Sequence, residues 1–586
     1  MKKCFRNGKI FFVAGKNKED VIYDVSSNDL HVTFDGKGGI TNYTVDNQSG
    51  NCAKKIILNV FADGKKLDAF CDKRVELAGR MQKILLKDGA VGIKICQFVA
   101  PNENAVFYEI TANKPGDYEF VLDLTRTENG FHYDTDATNW FIHENNSIYL
   151  RTKRSARLVL VYGSSTSCVK LLPRFSAFKK QVVDEFRSVK IPPSAKTEKE
   201  RALYVSSVFC ALENYKEIGL FKGFSAGAHV GAPVRTYFRD SYWTTLCMYK
   251  SRPDLIRNQI LTLSRGVKET GDCPACVTFE FDSPMRCFYD SPCFFVMMVY
   301  DYINHAGDLS ILDESVNGKT VYDYCCLTLD KLSEYEDKTG LVVKVGKYNK
   351  RDWADEINRT GCVTYVELLY ARALFCLSRI AGTRDKARAR RYHEMYLRTK
   401  NAINALLWDD EKGYYINYRD GGFVEDNLSV DTILAVLFGI SDKKQTERLL
   451  DNVANLLETR NNQSQKGGDY GVMSVYPFYR GADKCFHRSA EDYACQNGAA
   501  WPYWSALVAY AQMMNGRDYT YALTSSFGWN VKHGNYTPVE YYSPLGVGSS
   551  CLHARSSDAA WVYDWQDRDF FRENETVWEK APVARR

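Results

Sequence analysis

Near Thr197 the spacing of apolar residues changes from every second residue to every third or fourth, and no single layer of structure satisfies both periods. Upstream, runs such as Lys9–Val13, Ile56–Phe61, Ile93–Val99, Tyr118–Leu124 and Leu158–Tyr162 alternate, with Gly, Asn and Asp between them. Alternating runs broken by turn residues about every ten to twelve positions predict a sandwich of antiparallel strands. It is expected to cover residues 1–190, with Pro192-Pro193 and the charged stretch Lys196–Arg201 marking its end. Downstream, twelve segments carry helical periodicity: 197–216, 241–252, 254–270, 290–306, 311–336, 361–381, 386–407, 428–440, 442–459, 498–514, 516–526 and 556–566. Gly271, Gly307, Gly382, Gly439 and Gly516 stand at or near their ends, where glycine caps a helix. Twelve helices make six hairpins, and six hairpins closed in a ring make an (α/α)6 barrel. The expected fold class is therefore multidomain β plus α: an N-terminal antiparallel β-sandwich, then an (α/α)6 barrel over residues 191–586.

Alternate connections in such a ring emerge at the same end. The long ones here, 217–240, 271–289, 337–360, 408–427, 460–497 and 527–555, converge on one mouth, the place where function gathers on a rigid scaffold. They are rich in Trp, Tyr, Asp, Glu and Arg. That mixture suits a sugar: rings stack on its C–H faces while carboxylates and guanidinium groups bond its hydroxyls.

Composition narrows the classes. The 586 residues are 45% hydrophobic, so a large core is expected and wholesale disorder is excluded. Lys plus Arg number 77 against 72 for Asp plus Glu, a near balance that calls for neither nucleic acid nor an anionic membrane as partner. No apolar run is long enough for a membrane span, and Ile10–Gly15 is too short for a signal-peptide core. The 18 cysteines are accordingly expected to be reduced thiols of a cytoplasmic protein. Cys273-Pro-Ala-Cys276 has redox spacing but no second CxxC to complete a zinc site, and the nine histidines include no HxxxH-type pair, so no metal and no other cofactor is expected.

Four loop segments carry candidate chemistry. Arg235-Thr-Tyr-Phe-Arg239-Asp240-Ser241-Tyr242-Trp243 opens the second helix, and its Arg-Asp pair offers donors and acceptors to neighbouring hydroxyls, although Asp240 or Ser241 also suits a plain N-cap. Arg351-Asp352-Trp353-Ala354-Asp355-Glu356 places three carboxylates within five residues; mutual repulsion and burial beside Trp353 can raise one pKa toward neutrality, whereas a solvated acidic loop would not. Tyr536-Thr-Pro538-Val-Glu540-Tyr-Tyr542-Ser-Pro544 frames a lone Glu with prolines and tyrosines, a stiff setting for a general base or a surface turn. Cys495-Gln496-Asn497-Gly498-Ala-Ala-Trp501-Pro502 opens the tenth helix, preceded by His487, Arg488, Glu491 and Asp492; Trp501 is a stacking platform or core.

Taken together, these segments resemble the six-hairpin (α/α)6 glycosidases, above all the amylo-α-1,6-glucosidase type, with glucoamylase and cellobiose phosphorylase as more distant likenesses. Gly231-Ala-Pro-Val…Phe238-Arg239-Asp240-Ser241 is similar to that group's terminal-glucose segment. Trp353-Ala354-Asp355 is similar to its Trp-x-Asp, which implies Asp355 as general acid. The Ala354-Asp355-Glu356 wording stands nearer the phosphorylases' Trp-Asn-Asp. Glu540-Tyr-Tyr-Ser-Pro-Leu-Gly546 resembles the segment that carries the general base, and Asn497-Gly498…Trp501-Pro502 and Trp408…Gly413-Tyr414-Tyr415 match further segments in order.

The resemblance implies an exo-acting, inverting glycoside hydrolase that releases a terminal, glucose-like monosaccharide. Asp355 protonates the leaving oxygen and Glu540 activates a water, the two carboxyls roughly 6.5–9.5 Å apart. Substrate contacts are expected from Arg239, Asp240, Tyr242, Asp290, Trp353, Glu356, Gln496, Asn497 and Trp501, with Trp353 and Trp501 stacking. Two alternatives stand beside it. In an inverting disaccharide phosphorylase, phosphate replaces water and needs no base, against which Glu540 weighs. A sugar-binding or epimerase-like protein would want histidines at the mouth. A homodimer through the sandwich is a further possibility. On the main reading, Asp355→Asn is expected to lower kcat by about 10²–10⁴-fold, and an Asn variant that keeps its turnover refutes the acid assignment.

Overall fold

In a computed structural model, residues 2–579 are described except 16–21, 28–29, 46–50, 68–71, 128–129, 138, 143–146, 164, 228–233, 284, 346–351, 482, 534–536 and 548–556. Arg351, Tyr536 and the Gly231-Ala-Pro triplet of the sequence reading lie outside the described residues.

Two eight-stranded sheets form the N-terminal part. The first runs in the order Lys2–Arg6, Lys9–Gly15, Asp72–Ala78, Met81–Asp88, Val91–Val99, Ala105–Ala112, Ser155–Tyr162, Phe131–Thr135. The second runs Asn139–Ile142, Ile148–Thr152, Tyr118–Thr127, Asn51–Ala62, Ile40–Val45, Leu30–Asp35, Ile22–Ser27, with Lys65–Lys66 added against Asn51–Ala62. The pairings are antiparallel, and period two puts Ile93, Ile95, Val106 and Tyr108 of one sheet and Val32, Phe34, Ile56 and Phe120 of the other into a shared core.

The first sheet is covered on both faces. Phe98, Phe107, Val159 and Val161 on its far side pack under two helices, α1 (Ser165–Leu171) and α2 (Phe175–Ser188). The expectation of strands throughout residues 1–190 is thus corrected: Phe175, Phe178 and Val182 repeat at three and four residues and are the buried stripe of α2.

Among the described residues thirteen helices follow: α3 (Glu198–Asn214), α4 (Phe238–Thr245), α5 (Pro253–Gly266), α6 (Ser291–Ala306), α7 (Val321–Ser333), α8 (Thr364–Gly382), α9 (Lys386–Leu406), α10 (Leu434–Leu437), α11 (Lys443–Asn452), α12 (Pro502–Met514), α13 (Thr520–Lys532), α14 (Asp558–Asp564) and a short terminal α15 (Glu575–Glu579) outside the ring of the first twelve. The even-numbered ones form an inner ring, α4 against α6, α6 against α8, then α10 with the 3-10 turn Val430–Ile433, α12 and α14, which returns to the end of α4. Their sequences explain it. Within α4, α6, α8 and α12 almost every side chain is buried, so each needs neighbours on all sides.

Three helices are shorter than the periodicity suggests. Segment 311–336 begins with a 3-10 turn and a small hairpin before α7; 428–440 is a 3-10 turn plus α10; 442–459 ends in a π turn after α11. Gly307 caps α6 in the left-handed region, as glycine is suited to do. In this ring the long connections deliver the chain to the N-termini of the inner helices, so five of the sequence motifs arrive at the same end.

A single contiguous apolar cluster runs through sandwich and barrel. Among the described residues no helix is long and apolar enough to cross a membrane. Cys273 and Cys276 form no disulfide, and no group of His, Cys, Asp and Glu among the described residues is arranged to hold a metal ion.

One joint between the parts is the turn at Gly79. Its φ is +57°, and a Cβ there would sit 2.7 Å from the Phe209 ring of α3. Gly79→Ala is expected to cost about 1–3 kcal/mol, the usual range for overpacking, and thermal unfolding should show a lowered midpoint.

Candidate active site

The acid loop is a turn before it is a site. Asp352 accepts the Ala354 N–H at 2.8 Å, which folds the chain back on itself and turns Asp355 outward. Asp352 is fully buried, and so is Arg359, seven residues on. Arg359 donates to Asp352 at 2.5 Å and to Asp431 at 2.8 Å; Lys344 adds a third charge at 2.8 Å from Asp352, and the Trp353 indole donates to Asp431 at 2.5 Å. Burial alone would raise the pKa of Asp352, but Arg359 and Lys344 outweigh it and hold the carboxyl well below the usual range. Of three carboxylates within five residues, Asp352 is therefore a permanently charged anchor.

Glu356 is engaged as well. Its Oε1 accepts from Arg488 Nε at 2.8 Å, while Oε2 is buried without a hydrogen bond. Arg488 also reaches toward Glu540, Nη1 to Oε2 at 3.6 Å, and its guanidinium lies over the Tyr541 ring. The arginine side chain keeps 45% of its surface exposed, so it is not sealed off beneath the loops.

Asp355 is the group whose proton affinity moves in the useful direction. Burial pushes it up first. Arg239 opposes, Glu540 and Glu356 push it further, Arg488 opposes, and the carboxyl ends at about 6. Coupling of this kind requires Asp355, Glu540, Glu356, Arg239 and Arg488 to share one small region. Gln496 aims at it: Nε2 donates to Asp355 Oδ1 at 2.9 Å, and its Oε1 is fixed by the Ser489 hydroxyl at 2.7 Å. Gln496, expected to touch substrate, thus makes a contact with Asp355.

Across the cluster, Arg239 in the first turn of α4 donates to Asp290 at 2.9 Å and lies 3.8 Å from Asp240; Tyr365 donates to the same Asp290 oxygen at 2.9 Å. Arg239 Nε and Asp290 Oδ1 are buried with no hydrogen bond of their own. Orphaned polar atoms of this kind are costly unless something satisfies them, and hydroxyl groups would.

The remaining expected contacts sit elsewhere. Trp353 and Trp501 are 2% and 1% exposed and meet edge to face at 5.8 Å, with Tyr541 stacked on Trp501 at 4.9 Å. They form the packed floor under the loops and expose no face for stacking. Tyr242 lies deeper between the inner helices, where its hydroxyl donates to buried Asp301. Asp290 is fully buried and acts on Arg239. The Asn497 amide is occupied by the Tyr479 backbone, accepting its N–H at 2.9 Å. Arg359, Asp431 and Lys344 were not singled out in the sequence; Arg359 follows the acid loop closely enough to be suspected, but Asp431 has no local signal.

The match between this chain and known proteins follows the same geography. Residues 221–517 match the catalytic-domain model of the glycosyl hydrolase 94 superfamily. The segment includes Arg239, Asp290, Asp355, Arg488 and Gln496 and ends before Glu540. The N,N'-diacetylchitobiose phosphorylase of Vibrio furnissii is 28% identical over 280 residues, 40% of this chain and 34% of that protein. The enzyme of the same description from Vibrio proteolyticus is 22% identical over 274 residues, 39% of this chain and 34% of that protein. The chain thus spans about a third of the length of these curated relatives. A bacterial glucoamylase crystallised with acarbose has the same fold, with a TM-score of 0.66 at 13% identity over 97% of this chain and all of that one.

The site predicts its own pH dependence. With Asp355 as the expected general acid, which works only while protonated, kcat/KM should fall as pH rises through about 6, where burial and the neighbouring carboxylates bring its carboxyl. The Gln496 donor favours the charged carboxylate. Gln496→Leu should therefore move that alkaline limb to higher pH, which a pH–rate profile would read directly.

Proposed function

Because the chain belongs to the glycosyl hydrolase 94 superfamily, we propose that it cleaves a glycosidic bond with inversion, orthophosphate being the entering nucleophile and Asp355 the general acid. The reading is carried by one observation: the Asp355 carboxyl, brought to about 6, shares a single cluster with Glu540 and two arginines. Arg239, braced by Asp290 and Tyr365, holds the terminal sugar. Asp355 gives its proton to the departing glycosidic oxygen. A phosphate oxygen attacks the anomeric carbon from the other face, the C–O bond breaks, and a sugar 1-phosphate of inverted configuration leaves with the freed acceptor. Arg488, a half-exposed guanidinium beside the Glu356 and Glu540 carboxylates, is the cation suited to meet the phosphate. The two Vibrio relatives make N,N'-diacetylchitobiose the first disaccharide to assay.

A second reading is hydrolysis, and Glu540 favours it. A carboxylate near Asp355 repels a phosphate dianion but suits a water that must lose a proton. The deciding experiment is turnover of a disaccharide panel with and without orthophosphate, with NMR reading the anomer and the phosphorylation of the product. Phosphorolysis requires a sugar 1-phosphate formed only when phosphate is present. Under phosphorolysis Glu540→Gln should leave kcat within about tenfold and lower the KM for phosphate by removing a like charge. Under hydrolysis the same change should cost about 10²-fold or more in kcat with no response to phosphate.

A further inference from the structure

The Glu540 segment is held at both ends. On its C-terminal side Tyr542 and Ala500 exchange backbone hydrogen bonds at 2.9 and 3.0 Å, which ties it to the loop that opens α12. On its N-terminal side the contact comes from the other end of the chain. The Asp24 N–H donates to Thr537 Oγ1 at 3.1 Å, and the Thr537 hydroxyl lies 3.2 Å from Asp24 Oδ2, 513 residues away in sequence. Thr537 is three residues before Glu540, with Pro538 stiffening the link.

Asp24 is itself well fixed. It lies in the strand Ile22–Ser27, its Oδ1 accepts from Thr33 at 2.6 Å, and His31 Nε2 is 3.4 Å away. Two residues on, the Ser26 N–H donates at 3.0 Å to Glu213 of α3, so the strand is fastened to the barrel. Packing holds Val539, Tyr541 and Tyr542 in the core, but leaves a gap on the Asp24 side. Tyr23, Asp24, Glu213, Thr537 and Pro538 border a cavity of about 30 Å³, room for a water rather than a side chain. Directional hydrogen bonds to Asp24 therefore add to packing in seating Thr537.

We propose that Asp24 is a positioning residue, through which the β-sandwich seats the Glu540 carboxylate against the acid Asp355. The proposal rests on the reading of Asp355 as general acid, but not on whether phosphate or water attacks. Its consequence is electrostatic. Arg239 from α4, Glu356 from the acid loop, Arg488 and Cys495 from the segment before α12, and Glu540 all face Asp355. Of these, Glu540 and Glu356 keep it protonated. A Glu540 that drifts away repels the Asp355 anion less, and the acid then ionises at lower pH.

The test is the alkaline limb of kcat/KM in the full chain, against Thr537→Val, which keeps the shape of threonine and loses the hydroxyl. The limb should move to lower pH in Thr537→Val, stay in place in Thr537→Ser, and move in Glu540→Gln. Thr537→Val added to Glu540→Gln should move it no further, a non-additivity that a general loss of stability would not produce. A parental limb in Thr537→Val, with Glu540→Gln shifted, overturns the proposal. A parental limb in Glu540→Gln overturns instead the coupling of the two carboxyls, and the proposal falls with it. Should Thr537→Val not fold, Asp24→Asn is read by the same criteria.

Discussion

Arg359 is a full positive charge with no exposed surface, placed between two buried carboxylates, Asp352 and Asp431. Removing such a charge from water costs several kcal/mol even after relaxation, and only well-made hydrogen bonds on every side offset it. Here both carboxylates and the Asn417 amide oxygen accept from Arg359, while Lys344 pairs with Asp352. The cost explains the rigidity. The acid loop cannot shift without stranding at least one buried charge, so the direction in which Asp355 projects is fixed before any substrate arrives.

That fixed loop works only because the helices bring the others to it. Inner helices that are apolar on every side have no stable place except inside a ring, and closure puts their N-termini at one end. Arg239 begins α4, Asp290 precedes α6, the acid loop precedes α8, Gln496 precedes α12 and Glu540 lies in the connection to α14. The aromatic floor of Trp353, Trp501 and Trp504 sits between ring and loops. Burial of Asp355 among these loops is the largest cause of the carboxyl's raised proton affinity.

The charge distribution follows a division of labour among similar residues. Asp352, Asp355 and Glu356 are near neighbours in sequence, yet the first is clamped as an anion, the second is poised near neutrality, and the third is paired with Arg488. Nothing in their chemistry distinguishes them. Each is defined by the burial and the charges that tertiary structure sets around it.

Much of this was legible in the chain itself. Period two and period three-to-four gave the sandwich and the twelve helices, because burial of one face is a local, repeating demand. The order of Arg239, Asp355, Gln496 and Glu540 along the loops was also readable, since alternate connections of a closed ring must share an end. The helices at 165–188 were missed because they follow a long series of strands, although Phe175, Phe178 and Val182 mark their face. What the residues alone could not decide is which aromatics are floor and which are free, as with Trp353 and Trp501, or which oxygen a distant group will claim. Asp431 beside Arg359, and Asp24 beside Thr537, are pairings across 72 and 513 residues. Hydrophobic patterning is written in each segment separately; the partner of a buried charge is chosen by whatever the folded chain brings within hydrogen-bond reach, and no local pattern encodes that.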